Sequence, residues 1–415
     1  MNIVTREAQH IVPQFVSEVR DSTIGLEGFV VVDSTIRDRS CGGLRIFDNV
    51  SVDQLKALAR GMTLKYGFSG MPQGGAKAGI VADPDMSKER KQQLLFRFGE
   101  LIQPLLRSGY YISGPDMSVD HDDIDVMVKG AGLRVPTPRR SKGKKSGFYT
   151  ALGVMVAIEA SLAVDKIDPA EVTVAIEGFG AVGASLAFLL DQKKRSRVVA
   201  VSTTKGALFD PHGLDVPELV RLREKYGNRS VEEYQGAERI SNEDLLTLEV
   251  NVLAPCAGQY TITEKNVDRI KAQYICPGAN NPVTADAENT LAVRGVVSIP
   301  YFTANCGGVL GNKMEILDVH DTFIETAIRA KNRSRIEQLI RLARHRKQPM
   351  YSIAEQYALE RFQRMQKGME ALTMKDRLHR VGLKIFNAGI IPSAVNRMLG
   401  PTYLRRTMLS DPPIG

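Results

Sequence analysis

Residues that bind metals or form covalent cross-links are scarce in this sequence. Its 415 residues include four cysteines and six histidines, no two cysteines form a CxxC pair, and no histidine lies at ligand spacing from one. This scarcity argues against a disulfide framework and a zinc site, and it is typical of a reducing compartment. We therefore expect no metal and a cytoplasmic location. Because the histidines are isolated, no catalytic triad centred on histidine is visible.

Long apolar segments are also missing. No uninterrupted apolar run reaches the roughly 18 residues that a membrane-spanning helix needs. The first ten residues contain charges and no apolar segment, unlike a signal peptide. We therefore expect neither a membrane span nor a signal peptide.

Charge is unevenly distributed along the chain. The net charge is +8, and residues 321–415 contain 18 lysines and arginines against 8 acidic residues, so the preceding part is close to neutral. A basic tail of this kind is typical of a solvated helical face or a subunit contact. Association with nucleic acid or an anionic surface is the alternative, but no recognition motif supports it. We therefore expect no nucleic-acid partner.

Composition and periodicity divide the chain into three parts. With 43% apolar and 25% charged residues, the chain is typical of globular proteins, and its length exceeds one ordinary core. Pro, Gly and basic residues over 136–147 indicate a linker. We predict an α/β protein with an N-terminal α/β domain (1–140), a doubly wound domain with a parallel sheet (148–315) and a basic helical C-terminal region (316–415).

The spacing of apolar residues predicts the individual elements. Short apolar strands that alternate with helices indicate a parallel sheet after the linker. The predicted helices cover 53–66, 89–106, 150–163, 184–190 and much of the chain from 321, and the predicted strands cover 110–112, 172–176, 198–201, 250–253, 274–276 and 296–299.

A glycine-rich segment follows the strand predicted over 172–176. In this pattern the first glycine permits a tight turn, the second lets the backbone approach a pyrophosphate, and the third lets helix and strand pack closely. The N-terminus of the following helix then faces the phosphates. A purely structural glycine turn is the alternative, but the flanking strand and helix favour a dinucleotide site. Its residues are Gly178, Phe179, Gly180, Ala181, Val182 and Gly183.

Residue 203 ends the second predicted strand of the Rossmann domain. NAD enzymes usually have Asp or Glu about 20 residues after the glycines, where it binds the ribose 2′-hydroxyl. This chain has Thr203 there, with Lys205 close by. Because no carboxylate repels a 2′-phosphate, we expect an NAD(P) site that accepts NADP. A preference for NADP over NAD stays open.

Two lysines and an aspartate are candidates for acid–base chemistry. Lys77 lies in a glycine-rich, nearly uncharged segment, and a partly desolvated lysine has a lowered pKa and can act as a base. Lys65 is a second cation that would lower the pKa of Lys77 further and could hold a substrate carboxylate. Asp116 follows a Gly-Pro turn and could shuttle a proton. Each residue alone would be interpreted as a surface residue; their occurrence with the glycine fingerprint favours a site.

Motifs around these residues occur in a fixed order. They are GGLR at 42–45, GMTLK at 61–65, GGAKAG at 74–79 and GPD at 114–116, followed by TALGV at 150–154, APCA at 254–257, GANN at 278–281 and ANCGGV at 304–309. With this set of motifs the chain resembles the glutamate/leucine/phenylalanine/valine dehydrogenase family over residues 25–315. The resemblance implies oxidative deamination of an L-amino acid to a 2-oxo acid and ammonia, with hydride transfer to NAD(P)+.

The resemblance also implies a role for each candidate residue. Lys65 would bind the substrate α-carboxylate, Lys77 would activate the water that attacks the iminium carbon, and Asp116 would exchange protons with the amine. The cofactor supplies the hydride chemistry, and closure of two domains would exclude water. The resemblance implies that 1–140 is the substrate/catalytic and oligomerisation domain, that 148–315 is the Rossmann NAD(P)-binding domain, and that the chain forms a homo-oligomer. Gly42 and Gly43 would line the substrate pocket, and Thr150, Asn280 and Asn305 would lie at the nicotinamide end of the cofactor.

Three departures from the family pattern concern the substrate site. Glutamate enzymes of the family have a lysine directly before GGLR, where this chain has Cys41, and a serine shortly after ANAGGV, where it has Asn312. A substrate carboxylate buried without that lysine would cost several kcal/mol, in order of magnitude. We therefore expect an apolar or branched-chain substrate rather than glutamate, bound in a pocket to which Asn312 adds a polar group. Ala78 replaces a glycine beside Lys77.

A second hypothesis is a protein of the same fold that binds NAD(P) but has lost or changed its chemistry. Such a protein would serve a regulatory or partner-binding role. The joint presence of Lys65, Lys77 and Asp116 favours the enzyme.

Overall fold

The computed structural model describes residues 12–135, 146–192, 196–316, 319–370, 401–402, 404 and 414. They fall into two compact units, an N-terminal unit within Met1–Arg139 and Ala358–Lys384, and a second unit within Arg140–Tyr357 and Ile385–Gly415. Residues of the 316–415 region therefore belong to both units. The three-part division expected from the sequence stays a prediction, and nearly all of the expected 136–147 linker lies outside the described residues.

The N-terminal unit is built on a five-stranded sheet with the order β1-β2-β4-β3-β5. Strand β2 pairs antiparallel with both β1 and β4, whereas β3 is parallel to both β4 and β5. The strands are β1 (Phe15–Asp21), β2 (Leu26–Val32), β3 (Ser40–Phe47), β4 (Gly74–Val81) and β5 (Ile112–Pro115), and the helices are α1 (Val52–Ser69), α2 (Lys88–Leu101), α3 (Gln103–Ser108) and α4 (His121–Gly130).

The two faces of this sheet pack against different helices. On one face Val31 belongs to a cluster with Leu55 and Leu58 of α1. On the other face Val30, Leu44, Ala76, Ala78 and Ile80 pack with Phe98 of α2 and Met127 of α4. Side chains alternate across a strand. The residues between these core positions, including Lys77 on β4 and Arg45 on β3, therefore lie on the α1 face.

Helix α1 has a defined start and end. The side chain of Ser51 accepts a hydrogen bond from the amide of Gln54 at the N-cap, and Gly70 ends the helix with φ of 68°. A left-handed residue at this position favours glycine because it has no Cβ. The helix is long enough to bring Lys65, four residues before its end, into the buried part of the unit.

The second unit has a seven-stranded sheet with the order β12-β11-β10-β6-β7-β8-β9. Strands β12, β11, β10, β6 and β7 are parallel, and the pairings of β8 with β7 and of β8 with β9 are antiparallel. The strands are β6 (Thr173–Glu177), β7 (Arg197–Thr203), β8 (Gly206–Phe209), β9 (Glu238–Ile240), β10 (Val252–Pro255), β11 (Tyr274–Ile275) and β12 (Val297–Ser298). The strand order reverses between β6 and β10, which is where open α/β sheets bind ligands.

Helices of this unit connect and cover the sheet. They are α5 (Ser146–Asp165), α6 (Ala181–Asp191), α7 (Val216–Tyr226), α8 (Ser230–Glu233), α9 (Asn242–Leu246), α10 (Ala285–Val293), α11 (Tyr301–Ala304), α12 (Gly307–Ile316), α13 (Asp321–Arg346) and α14 (Met350–Glu370), the last of which continues into the N-terminal unit. Three short 3₁₀ turns complete the connections at Pro169–Glu171, Gly227–Arg229 and Val267–Arg269.

Helix α5 has the length and apolarity of a membrane span. Its residues Gly147–Asp165 have a mean hydropathy of 1.6, but 67% of that window is buried within the structure. Such burial is typical of a core helix. Helix α13 packs along α5, where Arg344 forms an ion pair with Asp165 and Arg329 lies 3.7 Å from Glu159. Part of the basic C-terminal region thus packs on helix α5 of the second unit.

The structure differs from the sequence-based elements at several points. The helix predicted over 89–106 is two helices, because the chain leaves helical geometry at Ile102, directly before Pro104 starts α3. The strand predicted over 110–112 begins at Ile112. Strands β1 to β4 were not predicted. Near-continuous burial hides the alternation of a half-exposed strand in β2 and β4, and β3 contains two adjacent glycines. In β1 the exposure alternates, but Ser17 is half-buried and Val16 is exposed, so the apolar residues themselves do not alternate. Helices from residue 321 onward are confirmed over the described α13 and α14.

Candidate active site

Three charged side chains meet on the α1 face of the N-terminal sheet. The Nζ of Lys77, on β4, lies 2.7 Å from Oδ2 of Asp116, which directly follows β5. The Nε of Arg45, on β3, lies 2.9 Å from the same oxygen. The side chains of Lys77 and Arg45 are each 4% exposed and that of Asp116 is 15% exposed. The sheet order places β4, β3 and β5 side by side, which brings these distant residues together.

Burial and charge together shift the pKa values of this cluster. Burial lowers the pKa of Lys77; the carboxylate of Asp116 opposes this shift and the guanidinium of Arg45 adds to it. Burial alone would raise the pKa of Asp116, but the adjacent Lys77 and Arg45 outweigh it and hold the pKa well below its usual range. Asp116 is therefore a carboxylate at neutral pH in this arrangement, and Lys77 is the group whose proton is more easily lost.

Arg45 is the member of the cluster to which the sequence interpretation gave no role. It is part of the GGLR motif, where Gly42, Gly43 and their neighbours were expected to line the substrate pocket, but it was not named individually. Its position two residues after Gly43 on the same strand face is the signal that could have identified it, because alternate residues share a face.

The glycines before Arg45 are required for packing. A Cβ at Gly42 would lie 1.6 Å from the carbonyl oxygen of Ala76, and a Cβ at Gly43 would lie 2.7 Å from the Cβ of Asp116. Side chains at these positions would push β3 away from β4 and displace the carboxylate. Ala78, in contrast, is fully buried in the core on the opposite face from Lys77, where its methyl group is accommodated.

Lys65 lies on α1 and is 7% exposed. Two residues earlier, the hydroxyl of Thr63 donates to Oδ2 of Asp33 at 2.5 Å and lies 2.7 Å from the hydroxyl of Ser34. Ser34 in turn accepts a hydrogen bond from the amide of Gly75 on β4. This network links the helix that contains Lys65 to the strand that contains Lys77.

Neutral hydroxyl and thiol groups surround the Cys41 position. Cys41 is half-buried on β3, on the same strand face as Arg45. Burial raises the pKa of Tyr66 well above its usual value, and the proximity of Cys41 contributes to a smaller extent. Burial likewise raises the pKa of Tyr111, whose hydroxyl lies 3.0 Å from that of Ser113. The tyrosines were not predicted as site residues, although Tyr66 directly follows the GMTLK motif and Tyr111 lies three residues before GPD; that proximity is the signal that could have identified them.

The glycine fingerprint has the geometry that a dinucleotide needs. Gly178 has φ of 90°, a left-handed conformation that favours glycine, and a Cβ at Gly183 would lie 1.9 Å from the carbonyl oxygen of Gly178. Nothing lies within 4 Å of a Cβ at Gly180, and this residue begins α6 without a side-chain cap. The loop therefore leaves room above uncapped amide groups, as pyrophosphate binding requires. Phe179, Ala181 and Val182 complete the loop.

The end of β7 contacts this loop. The amide of Phe179 donates to the carbonyl of Ser202 at 2.6 Å, and the amide of Gly178 donates to the Ser202 hydroxyl. The hydroxyl of Thr203 donates to the carbonyl of Asn228. Arg223, on α7, donates from Nε to the carbonyl of Phe179 at 2.9 Å. This arginine was not singled out from the sequence, because it lies outside the fingerprint.

Asn305 joins two of the expected cofactor segments. Its Nδ2 lies within 3.2 Å of the carbonyls of Gly278 and Ala279 and of Oδ1 of Asn280. Its Oδ1 is buried and accepts no hydrogen bond from the described residues. Thr150 lies on α5 and Asn312 on α12, both half-buried in the same unit.

The candidate residues thus form two groups. The substrate and catalytic candidates, except Asn312, lie in the N-terminal unit, and the cofactor candidates lie in the second unit. Within the described parts of the chain, no group of three or more His, Cys, Asp or Glu side chains could hold a metal ion.

Comparisons with known proteins match two segments of the chain to one family. Residues 144–371 match the family described as Glutamate/Leucine/Phenylalanine/Valine dehydrogenase, and residues 9–131 match the Glu/Leu/Phe/Val dehydrogenase dimerisation domain. A glutamate dehydrogenase of Thermotoga maritima is 35% identical over 320 residues, which cover 74% of this chain and 76% of that protein.

Solved structures with lower identity support the fold. The hetero-hexameric glutamate dehydrogenase of Thermus thermophilus, in its Leu-bound form, matches with a TM-score of 0.75 and 24% identity, over 89% of this chain and 93% of that one. The L-tryptophan dehydrogenase of Nostoc punctiforme matches with a TM-score of 0.61 and 20% identity, over 86% and 98% of the two chains. The chain belongs to the glutamate/leucine/phenylalanine/valine dehydrogenase family and is an amino-acid dehydrogenase that oxidises a CH–NH2 donor with NAD(P).

Proposed function

We propose that this enzyme oxidatively deaminates an apolar or branched-chain L-amino acid, with Lys77 and Asp116 as catalytic residues and Lys65 as the ligand of the α-carboxylate. The observation that supports this assignment is the buried contact of 2.7 Å between Lys77 and Asp116. A lysine held in this way, with its pKa lowered by burial, is suited to remove a proton from water.

Each side chain then has a defined task. NAD(P)+ supplies the hydride acceptor when bound. Lys65 orients the substrate through its carboxylate, and Lys77 takes a proton at Nζ from the water that attacks the iminium carbon. Asp116 accepts a proton at Oδ2 from the amine once the substrate displaces one of its two cations, because its pKa rises when that charge moves away. Gly43 lets β3 approach Asp116 closely, and Gly42 lets it approach β4, so both glycines hold the carboxylate in place beside the proposed substrate pocket.

The substrate class follows from Cys41 and its neighbours. Cys41, Tyr66, Tyr111 and Ser113 provide thiol and hydroxyl groups, and the tyrosines stay neutral because their pKa values are raised. Neutral groups do not compensate the cost of burying a substrate side-chain carboxylate. Asn312 would contribute one amide to the pocket. Glutamate is the competing substrate, since the relatives with about a third of their residues identical include glutamate dehydrogenases.

For the cofactor we propose that NADP is accepted at the end of β7. Thr203 and Lys205 offer a hydroxyl and a cation in place of a carboxylate, and Arg223 lies beside the carbonyl of Phe179. A guanidinium there can pair with a 2′-phosphate. Thr150, Asn280 and Asn305 would contact the nicotinamide end, where the buried Oδ1 of Asn305 can accept a hydrogen bond.

The dimerisation domain matched over residues 9–131 supports a homo-oligomer. Light scattering of the purified chain tests this assignment, and a monomeric mass would contradict it.

Residues of the basic C-terminal region pack on the second unit, which favours a structural role over nucleic-acid binding.

The experiment is a panel of amino acids assayed with NAD+ and NADP+. We expect reduced cofactor to form fastest with Leu, Val or another apolar substrate, and turnover of glutamate to be slower by an order of magnitude or more. Lys77→Ala should abolish turnover while cofactor binding remains, and Lys56→Ala, at a half-buried position of α1 paired with Asp53, is the matched control. Turnover of glutamate alone would reject the substrate assignment, and full activity of Lys77→Ala would reject the mechanism.

A further inference from the structure

A buried carboxyl group lies next to the dinucleotide loop and has no role in the chemistry above. Glu177 is the last residue of β6 and directly precedes Gly178, the first glycine of the fingerprint. Its side chain is nine-tenths buried, and its Oε2 accepts no hydrogen bond from the described residues. Buried carboxyl groups are normally paired, so an unpaired oxygen at a ligand-binding position calls for a function.

The position of Glu177 is that of a ligand-binding residue. The strand order reverses between β6 and β10, so the end of β6 lies at the crevice where α/β sheets bind dinucleotides. The backbone carbonyl of Glu177 accepts a hydrogen bond from Cys256, at the end of β10, and a Cβ at Gly178 would lie 2.8 Å from Ala257. The backbone of Glu177 thus pairs with the end of β10 at the border of the cofactor site, and its carboxyl group lies close enough to Thr261 and Cys256 to affect and be affected by their side chains.

We propose that Glu177 is a proton-binding residue of the dinucleotide site, so that NAD(P) binds preferentially to the form of the enzyme in which this carboxyl group is protonated. The pyrophosphate carries negative charge and binds beside Gly178, where a buried carboxylate would repel it with little screening. A neutral carboxyl group removes that repulsion and can donate a hydrogen bond from the oxygen that otherwise has no partner.

The pKa of Glu177 lies near neutral pH. Burial raises its pKa to about 7, and the nearby hydroxyl of Thr261 opposes this shift only in part. The Cys256 thiol stays neutral, because burial and Glu177 raise its pKa to about 12. Two charged groups on the elements packed against β6 lie away from the loop, because Arg197 starts β7 and Asp191 ends α6. The other two already have partners: Glu243 pairs with Arg269, and Asp244 caps α9 together with Ser241.

The proposal rests on the dinucleotide site and is independent of the amino-acid substrate. If only the protonated form binds, the apparent Kd is divided by the protonated fraction. The Kd should then rise about fivefold between pH 7 and pH 8, and about tenfold between pH 8 and pH 9.

Titration of the full-length enzyme with NADH, followed by fluorescence of the reduced nicotinamide, measures this dependence from pH 6 to pH 9. The chain contains no tryptophan, so protein emission does not interfere at that excitation. NADH is the decisive probe because it lacks a 2′-phosphate, a group that itself titrates near pH 6. NADPH in a parallel series then shows whether the same dependence holds for the phosphorylated cofactor.

Glu177→Gln keeps the shape of the neutral acid, so its Kd should stay constant with pH and match that of the wild type at pH 6. Glu288→Gln is the matched control: Glu288 is equally buried in the same unit, but it accepts a hydrogen bond from Ser298, and this variant should keep the wild-type dependence. A constant Kd in the wild type, or an unchanged dependence in Glu177→Gln, would overturn the proposal.

A second measurement applies if Glu177→Gln does not fold. Calorimetry of wild-type NADH binding at pH 8, in two buffers of different ionisation enthalpy, counts the protons taken up. The proposal expects uptake approaching one proton per site, and an uptake of zero would refute it.

Discussion

Replacement of Arg45 by methionine tests how the buried cluster controls the pKa of Lys77. Lys77 and Arg45 contact the same oxygen of Asp116 at 2.7 and 2.9 Å, so their nitrogens lie within about 5.6 Å of each other. At an effective dielectric constant of about 20, two like charges at that separation repel each other by about 3 kcal/mol. This energy corresponds to about 2 pKa units.

The sign of the effect follows from the charge. Arg45 destabilises the protonated form of Lys77, so its removal should raise the pKa of Lys77 by up to about 2 units. The group that must be deprotonated for catalysis then loses its proton only at higher pH. The acid limb of the profile of kcat/KM against pH should move upward by about 1 to 2 units, and activity on that limb should fall about 10- to 100-fold.

Arg45→Lys is the control, because it keeps the positive charge and loses the shape of the guanidinium. We expect its acid limb to stay within about half a unit of the wild type. The assay is initial-rate kinetics with the best substrate of the panel from pH 6 to pH 10, with circular dichroism to establish that each variant is folded. Coincident acid limbs for the methionine variant and the wild type would refute the electrostatic reasoning.

Three further substitutions address the pocket, the cofactor and the C-terminal region. Cys41→Lys should raise kcat/KM for glutamate relative to apolar amino acids, because it adds a cation beside neutral groups; an unchanged preference in the substrate panel would contradict the assignment of Cys41. Arg223→Ala should raise the KM for NADP more than that for NAD, and equal changes in both would reject a 2′-phosphate contact. Arg344→Ala should lower the free energy of unfolding at pH 7 by less than about 1 kcal/mol, since the arginine is nearly half exposed. The hydrogen bond from Arg344 lowers the pKa of Asp165, so the stability difference between the wild type and Arg344→Ala should vanish as the pH falls below 3.8. Urea titrations measure this difference. A difference that persists below pH 3.8 would rule out the ion pair as its cause.

Several elements could be predicted because their signals are local. The spacing of apolar residues indicated the helices now seen as α1, α5 and α6, and the fingerprint indicated the turn between β6 and α6. Strands β2 and β4 were missed, because strands of a sheet packed on both faces are buried along nearly their whole length and have little alternation, whereas β1 was missed because polar Ser17 lies on its half-buried face. The break at Ile102 was missed although Pro104 was visible, since apolar periodicity continues across the two helices.

In the candidate site, too, some features could be predicted from the sequence and others could not. Lys65, Lys77, Asp116 and the glycines could be selected from motifs, because their residue types and spacing are read directly from the chain. The contact of Arg45 with Asp116 joins residues 71 positions apart and depends on the pairing of β3 with β5. The raised pKa of Glu177 could not be predicted, because it arises from the loss of water around a residue that is ordinarily exposed.

The sequence by itself determined the reaction class, since motif residues and their order persist whatever the details of packing. It also determined that a dinucleotide loop follows β6, because three glycines at fixed spacing have few other uses. Only the tertiary structure decided which charges share an oxygen and which carboxyl group is left without a partner. Those properties depend on strand order and on burial, and both arise from contacts between residues far apart in the chain.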